Sequence, residues 1–292
     1  MKQFRKILKA TQEQLFEMLC REFRSQAIIN EGGYILVGGN APVMLLAHLD
    51  TVHAEPVKEL CATADGNILM SPQGIGGDDR CGVYALNKCY AAAKEKPYLL
   101  FTCDEEIGGI GANQFCTDFR AGLLPAELEE LKLLVEIDRK GSSDAVYYDC
   151  YNPTFKKYIS SKGFVTAYGS FSDISVIAPE LNTAAVNLSS GYYNPHTLHE
   201  FIKRRELETT INKVNEIISD AAQKDFPKFE YLSSRQFLYK FSAEVPDDLP
   251  KNYADIFLAL LDSYDAEELN CYRQLYGNEF LIELFRKEFE NY

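Results

Sequence analysis

The segment VMLLAHLDTVH, residues 43–53, changes from an apolar run to a polar cluster within a few residues. The run 43–46 predicts a short buried strand, and the cluster after it begins at His48. Two more apolar runs, YLLFT at 98–102 and LLVEI at 133–137, lead into acidic residues in the same way. We therefore predict a set of buried strands whose carboxyl ends carry polar side chains.

Helix-like and strand-like patterns alternate through the first 225 residues. Apolar residues at three- and four-residue steps predict helices, short apolar runs predict strands, and the turn signals Gly32-Gly33 and Asp65-Gly66 predict two hairpins. This alternation predicts an α/β domain built on a mostly parallel sheet. The predicted helices cover 4–24, 80–94, 111–119, 154–161 and 199–222, and the predicted strands and hairpins cover 27–39, 43–46, 59–72, 98–102, 133–137 and 183–188.

Residues 226–292 differ in composition from the rest of the chain. They hold 15 of the 36 Phe and Tyr residues, together with 13 acidic and 7 basic side chains. We predict a main domain over 1–225 and a mainly helical appendage over 226–292, with helices at 253–264 and 266–290. So many aromatic side chains need a surface to bury against, either the main domain or a second subunit of a homo-oligomer.

The bulk composition excludes several classes of protein. With 46% hydrophobic and 25% charged residues the chain has an ordinary globular composition, and a formal charge of −13 is unsuited to binding nucleic acid. No apolar run approaches the roughly 20 residues of a membrane-spanning helix, and the charged N-terminus is no signal peptide. Eight cysteines without a CxxC pair are typical of reduced thiols. We expect a cytoplasmic protein with no membrane or nucleic-acid partner.

The four histidines of the chain lie in two short loops, HLDTVH at 48–53 and HTLHE at 196–200. Histidine is the commonest metal-ligating side chain. Ligands of an open α/β sheet bind beyond the carboxyl ends of its strands, where the acidic clusters that follow 98–102 and 133–137 are also expected. Paired histidines near several carboxylates predict a metal site at that edge of the sheet.

Five motifs follow one another in order: HLDTV, GGDDRCG, DEEIGGIGA, a lone Asp after a strand, and HTLHE. They span residues 48–200 and together resemble the zinc exopeptidase superfamily, which includes double-zinc and tetrahedral aminopeptidases, tripeptidases and the carboxypeptidase/acylase enzymes. The resemblance implies a three-layer αβα sandwich with a mostly parallel central sheet. It also implies a metal-dependent hydrolase that acts near the end of a peptide chain.

The same resemblance implies a ligand set for two divalent metal ions. His48 and Asp138 would bind one ion, Glu106 and His196 would bind the other, and Asp78 would bridge the two. Imidazole and carboxylate ligands suit zinc, and manganese or cobalt can occupy the same kind of site.

Further roles are implied in the same way. Glu105 would be the general base, and Asp50 would hold the ring of His48 through its second nitrogen. The segment GSFSDIS, residues 169–175, resembles a loop that borders the metal centre in some family members. The candidates for substrate contact are Ser172, Asp173 and His199.

Two ligand assignments have a neighbouring residue as an alternative. Asp79 directly follows Asp78, and either side chain is suited to cap the helix predicted at 80–94. Glu136 lies two residues before Asp138 and on the same strand face. The resemblance favours Asp78 and implies a cis peptide bond after it, and we prefer Asp138 to Glu136.

The intervals between the motifs leave no room for an inserted domain. From His48 to Asp78 is 30 residues, enough for a hairpin, and from Asp138 to His196 is 58 residues. The chain therefore resembles the single-domain double-zinc aminopeptidases, without a lid domain.

We expect an aminopeptidase or dipeptidase acting on a peptide or aminoacyl substrate. A carboxypeptidase or N-acyl-amino-acid deacylase with the same metal centre is a second hypothesis, in which Arg80 or Arg139 would clamp the substrate carboxylate. Two more hypotheses are a non-catalytic binding relative of the fold and a one-metal enzyme that performs an acyl-transfer cyclisation.

Overall fold

The structure of the chain is a computed structural model, and it describes residues 2–233, 236, 246, 248–261 and 264–289. The strands are β1 (Ala27–Asn30), β2 (Tyr34–Val37), β3 (Val43–His48), β4 (Cys61–Ala62), β5 (Ile68–Met70), β6 (Tyr98–Thr102), β7 (Leu133–Arg139), β8 (Asp144–Val146), β9 (Val165–Ala167), β10 (Ala185–Ser189), β11 (Tyr192–Tyr193) and β12 (Phe201–Lys203). The α-helices are α1 (Lys2–Lys9), α2 (Gln12–Glu22), α3 (Gly77–Ala92), α4 (Ile110–Arg120), α5 (Pro153–Ser161), α6 (Asp173–Glu180), α7 (Arg204–Ala221), α8 (Lys251–Leu260), α9 (Ala266–Tyr276) and α10 (Glu279–Phe289).

An eight-stranded sheet forms the centre of the fold, in the order β1-β2-β6-β3-β7-β10-β8-β9. Its four middle strands, β6, β3, β7 and β10, run parallel, whereas β2 and β8 pair antiparallel to them at either side. In the register of β3 and β6, His48 is opposite Thr102, so both strands end at the same edge. The predicted mostly parallel sheet is confirmed.

Helices cover both faces of this sheet because its strands bury side chains on both sides. Along β3, Val43 and Leu45 belong to one apolar core, and Met44 and Leu46 belong to a second. The first core includes side chains from α1, α2, α3 and α7, and the second includes side chains from α4 and α6. Alternate residues of a strand point to opposite faces, so two cores on one sheet make a three-layer αβα sandwich, as expected.

The N-terminal amphipathic segment is two helices instead of the single helix predicted over 4–24. Helix α1 ends at Lys9, and Thr11 begins α2 as its N-cap. The Thr11 hydroxyl accepts a hydrogen bond from the Gln14 amide at 3.3 Å, and the Gln14 side chain accepts one from the Thr11 amide at 3.1 Å. This reciprocal pair is a capping box, which starts a new helix although the apolar spacing continues through it.

A second, antiparallel sheet lies in the order β11-β12-β5-β4 and was not predicted as a unit. The helix predicted over 199–222 begins only at Arg204, because Phe201–Lys203 pairs with β5. Ile202 is fully buried in this strand. Three residues are too few to show the alternation that distinguishes a strand from the first turn of a helix.

The described part of the C-terminal segment is helical and has an apolar cluster of its own. Helices α8, α9 and α10 contribute Leu260, Leu269 and Leu281 to this cluster, and Tyr151 packs against it. The helix predicted over 266–290 is broken at Gly277, whose φ of 85° suits glycine, and its last residue lies outside the described residues. Phe229 packs in the first core, so the domain boundary at 225 stays a prediction.

The structure also bears on membrane-spanning helices and on the state of the cysteines. In the part of the chain that the structure describes, no helix has both the length and the apolar character needed to cross a membrane. All eight cysteines are free, and five of them are buried.

The middle of the sheet should be the most sensitive place for a cavity. Leu45 is fully buried in β3, and Leu45→Ala should lower the free energy of unfolding by about 2–5 kcal/mol, because the removed side chain leaves a cavity. Urea denaturation measures the change. Leu123→Ala, at a leucine that is 69% exposed, is the matched control and should shift the free energy by less than about 0.5 kcal/mol. Equal shifts in the two variants would contradict this account of the core.

Candidate metal centre

Three neighbouring parallel strands bring polar residues to one edge of the main sheet. His48 is the last residue of β3, Glu105 and Glu106 follow β6, and Asp138 lies near the end of β7. Because β3 lies between β6 and β7 in the sheet, these residues converge. Asp78 lies in the first turn of helix α3, which packs on β3 and β7.

The residues predicted as metal ligands fall into two groups that share Asp78. In the first group, His48 Nε2 lies 3.0 Å from Asp78 Oδ1 and 3.6 Å from Asp138 Oδ1. In the second, His196 Nε2 lies 3.2 Å from Asp78 Oδ2 and 3.2 Å from Glu106 Oε1. Asp78 therefore turns one carboxylate oxygen towards each histidine. Within each group, one ligand atom of every residue lies within 4.8 Å of the others.

These side chains fit divalent cations in chemistry and in spacing. Zinc bound at about 2.0–2.2 Å by nitrogen and oxygen ligands in a tetrahedral site holds neighbouring ligand atoms about 3.3–3.6 Å apart. The four distances between the ligand atoms are close to that range. Glu106 Oε1 is also buried and, apart from the ring nitrogen of His196 at 3.2 Å, has no hydrogen-bond partner among the described residues, as expected of an atom that needs a cation.

Negative charge is concentrated around these two groups. Burial and the nearby Asp78 and Asp79 raise the pKa of Asp138 well above its ordinary value, and burial and Asp173 do the same for Glu136. Crowded carboxylates in a buried site either bind protons or bind cations. The carboxylates of this cluster, each of which acts electrostatically on at least one other, are Asp50, Asp78, Asp79, Glu105, Glu106, Glu136, Asp138 and Asp173.

Asp50 connects the ends of two strands. Its Oδ1 lies 3.0 Å from His48 Nδ1 and accepts a hydrogen bond from the Glu105 amide at 3.1 Å. Its Oδ2 accepts a hydrogen bond from the Glu106 amide at 3.0 Å. Burial acts to raise the pKa of Asp50, but His48 and the two amides outweigh it, and the pKa is lowered. Asp50 thus contacts the His48 ring as the resemblance implies, and it also fixes the loop that carries both glutamates.

Glu105 lies beside the two groups and has an altered proton affinity. Burial, with Asp173, Glu106 and Asp78 acting in the same direction and His48 opposing, raises the pKa of Glu105 to about 7. Atoms of Glu105, His48 and Glu106 form a third cluster with separations of 4.8 Å or less. A carboxylate with a pKa near neutrality is suited to accept and then donate a proton.

The two alternative ligands lie in different surroundings. Asp79 is fully buried, and its Oδ1 accepts a hydrogen bond from the Gly82 amide at 2.8 Å, so it acts as a cap within α3. The peptide bond between Asp78 and Asp79 is cis. Glu136 is fully buried, accepts a hydrogen bond from the Ser172 hydroxyl, and belongs to neither group. The geometry therefore favours Asp78 and Asp138 over their neighbours.

Asn187 and Tyr192, which the sequence did not single out, hold Asp138. The Asn187 side chain accepts a hydrogen bond from the Asp138 amide at 2.9 Å and donates one to the Asp138 carbonyl at 3.1 Å. The Tyr192 hydroxyl lies 3.3 Å from Asp138 Oδ1. A polar Asn within the apolar run 183–188 was the available signal for Asn187.

The three candidates for substrate contact lie in unlike surroundings. Ser172 and Asp173 are buried, where Ser172 donates to Glu136 and Asp173 accepts a hydrogen bond from the Thr102 hydroxyl. His199 is exposed. Substrate contact by these residues stays a prediction.

Comparison with known proteins identifies the fold. No protein-family model and no curated protein sequence matches the chain. Solved structures do match it, and the chain shares the fold of the peptidases described next. Aminopeptidase PepT from Bacillus cereus is similar with a TM-score of 0.58 and 14% identity, over 76% of this chain and 98% of that one. A tripeptidase from Staphylococcus aureus is similar with a TM-score of 0.59 and 14% identity, over 75% and 96%.

A third similar structure is that of a peptidase that forms large oligomers. The Pyrococcus horikoshii TET1 peptidase, described as assembling into a tetrahedron or a large octahedral shell, matches with a TM-score of 0.52 and 13% identity, over 74% of this chain and 98% of that one. At these identities the similarity establishes the shared fold alone, and the chemistry has to be argued from the site itself.

Arg80, a candidate carboxylate clamp, is engaged inside the protein. It is buried, and its Nη1 donates hydrogen bonds to the Leu49 carbonyl at 2.6 Å and the Asp50 carbonyl at 3.0 Å, while Nη2 donates to the Ala10 carbonyl at 3.1 Å. Burial lowers the pKa of Arg80 to about 10, which still leaves it charged at neutral pH. Arg139 is 3.4 Å from Asp144. Both candidate clamps therefore have partners within the protein.

Replacing Arg80 should reduce stability. In Arg80→Met three backbone carbonyls lose a charged donor, so the free energy of unfolding should fall by about 2–4 kcal/mol in a urea denaturation experiment. Arg139→Met, which removes only a partly exposed ion pair, should lower it by less than about 1 kcal/mol. An Arg80→Met protein of wild-type stability whose KM alone has risen would instead support a clamp.

Proposed function

We propose that this chain is a metal-dependent exopeptidase, an aminopeptidase or dipeptidase that hydrolyses the amide bond next to the end of a short peptide. The observation that carries the proposal is the pair of ligand groups that share Asp78, with Glu105 beside them. The exopeptidase fold of the chain supports it.

Each side chain has a role in this proposal. His48 and Asp138 would hold one divalent ion, Glu106 and His196 a second, and Asp78 would lie between them. Two such ions would act as Lewis acids and would lower the pKa of bound water, so that hydroxide is available at neutral pH. We propose zinc, with manganese or cobalt as chemically suitable substitutes.

Proton transfer is assigned to Glu105. Its raised pKa suits a base that takes a proton from the attacking water and then delivers it to the leaving amine nitrogen. Asp50 would keep the His48 ring in position and hold the loop of Glu105 in register with it.

The charge of the site favours the amino end of a substrate over its carboxyl end. The eight carboxylates named for this cluster carry more negative charge than two divalent ions neutralise, so the remaining field would attract an α-ammonium group and repel a carboxylate. The two candidate arginine clamps are bound to backbone carbonyls and to Asp144. A carboxypeptidase or deacylase is the second candidate, because the same ligand groups would serve it.

The cellular location and the oligomeric state of the enzyme are also proposals. Eight free cysteines support a cytoplasmic location. A homo-oligomer formed through the C-terminal helices is supported by the exposure of Leu275 and Tyr276 on α9 and by the assembly described for the TET1 peptidase. A non-catalytic binding role for the fold is the alternative from a different class.

Metal content and substrate choice test the proposal together. Purified protein should hold two equivalents of divalent metal, lose hydrolysis on chelation and regain it with zinc, manganese or cobalt. It should cleave dipeptides and aminoacyl amides in preference to N-acetyl amino acids, because the site attracts a free amine. Preference for the N-acetyl amino acids would establish the deacylase candidate. A protein that holds no metal after supplementation would rule out the proposed enzyme.

Glu105→Gln separates the base from the ligands. The variant should lose at least about 100-fold in kcat because the amide accepts no proton, yet it should keep two equivalents of metal. His196→Ala, measured in parallel, should lose metal from one of the two sites. Glu130→Gln, at an exposed glutamate in the 3-10 helix Ala126–Glu130, is the control and should match the wild type. Full activity in Glu105→Gln would disprove the assigned base.

A further inference from the structure

Glu200 is a fully buried carboxylate with three polar partners outside its own loop. It lies at the end of the loop between β11 and β12, four residues after His196. Its Oε1 accepts a hydrogen bond from the Asp78 amide at 3.0 Å, and its Oε2 accepts one from the Gly76 amide at 2.9 Å. The same Oε2 lies 2.9 Å from His53 Nε2. A carboxylate is stable in a buried place only when donors surround it in this way.

The loop that Glu200 contacts is packed without spare room. A Cβ added at Gly77 would lie 2.6 Å from Tyr192 Cβ and 3.1 Å from Glu200 Oε1. The backbone from Gly76 to Asp78 therefore rests directly on Glu200 and β11. A shift of the Glu200 carboxylate would move the Asp78 backbone with it.

Asp78 is the residue for which a small movement matters most, because its two oxygens face different histidines at 3.0 and 3.2 Å. The remaining residues of the two groups have no hydrogen bond to Glu200 among the contacts of the described residues. Phe201, the residue after Glu200, pairs with Met70 in the second sheet, so the backbone at Glu200 is anchored there.

We propose that Glu200 is a positioning residue for the metal centre, holding the Gly76–Asp78 backbone so that Asp78 presents one oxygen to each ligand group. His53 holds the Glu200 carboxylate in that orientation. This inference rests on the proposed function, since it concerns the same two metal ions. In this proposal the loop between β11 and β12 has two roles, because it carries His196 and its Glu200 orients Asp78.

Glu200→Gln is the first test. The side chain keeps its size, but its NH2 group must face a donor in place of one carboxylate oxygen. Metal-free protein titrated with zinc against a chelating dye should bind both equivalents about 10- to 100-fold more weakly than the wild type, as is usual when a partner of a metal ligand is lost. His196→Ala should weaken one equivalent only. Wild-type affinity for both equivalents in Glu200→Gln would overturn the proposal.

Two changes at His53 keep the test decisive if Glu200→Gln does not fold. His53→Leu removes a donor to Glu200 and should weaken both equivalents by a smaller factor, between the wild type and Glu200→Gln. His53→Gln, which retains a donor, should recover part of that loss. Unchanged affinity in His53→Leu would count against the proposed orientation of Glu200.

Glu206→Gln is the matched control. Glu206 lies six residues further along and contacts the Tyr193 hydroxyl at 2.5 Å and Lys203 Nζ at 3.1 Å, away from Asp78. Its zinc affinity should equal that of the wild type. Thermal unfolding of the metal-free proteins provides the second readout: a purely structural Glu200 would lower the melting temperature and leave zinc affinity intact, which would overturn the positioning role.

Zinc affinity and peptide hydrolysis, measured together, separate the positioning role of Glu200 from the proposed peptidase activity. A wild-type protein that binds two zinc ions, weakens both in Glu200→Gln and hydrolyses no peptide would support the positioning role and refute the peptidase. A wild-type protein that hydrolyses peptides while Glu200→Gln keeps its zinc affinity would do the reverse. A wild-type protein with no affinity for zinc would overturn both.

Discussion

The Asp50 carboxylate is the contact on which the arrangement of the centre depends. It touches the His48 ring at the end of β3 and receives the amides of Glu105 and Glu106 after β6. The parallel pairing of these strands brings their ends to one edge, but pairing alone leaves the loops beyond them free to differ in height and direction. Because three groups converge on one small carboxylate, the first histidine and both glutamates are held in a common frame.

Arg80 supports the same loop through hydrogen bonds to its backbone. It donates to the carbonyls of Leu49 and Asp50, so the turn after β3 is held through its backbone as well as through the Asp50 side chain. One buried arginine near so many carboxylates leaves most of their charge uncompensated, and burial together with Asp78 and Asp79 raises the pKa of Asp138. A cation bound where the ligand atoms meet would therefore be stabilised by the surrounding carboxylates.

The parts of the fold that were predictable are those with strong local signals. The runs that became β3, β6 and β7 are buried on both faces and therefore read as continuous apolar segments, and the residues at their ends followed from sheet geometry. In the second sheet only the hairpin of β4 and β5 left a local signal, because the rest of the sheet pairs residues 68–70 with the distant residues 201–203 through strands of three residues each. The roles of Asn187, Tyr192 and Glu200 depend on contacts between distant segments, which spacing along the chain does not reveal.

The second sheet also accounts for the content of the interval between His48 and Asp78. The hairpin in that interval contributes β5, the strand on which β12 pairs, and the residue before β12 is Glu200. Removing the hairpin would therefore leave β12 paired with β11 alone and loosen the backbone next to Glu200, whose carboxylate receives the Gly76 and Asp78 amides. If Glu200 positions Asp78 as proposed, this interval also has a lower limit on its length, because β5 of the hairpin is one of the two strands that hold β12. The candidate metal centre consequently draws on both sheets: the large one places His48, Glu106 and Asp138, and the small one borders the loop that carries His196 and the Glu200 carboxylate that receives the Asp78 amide.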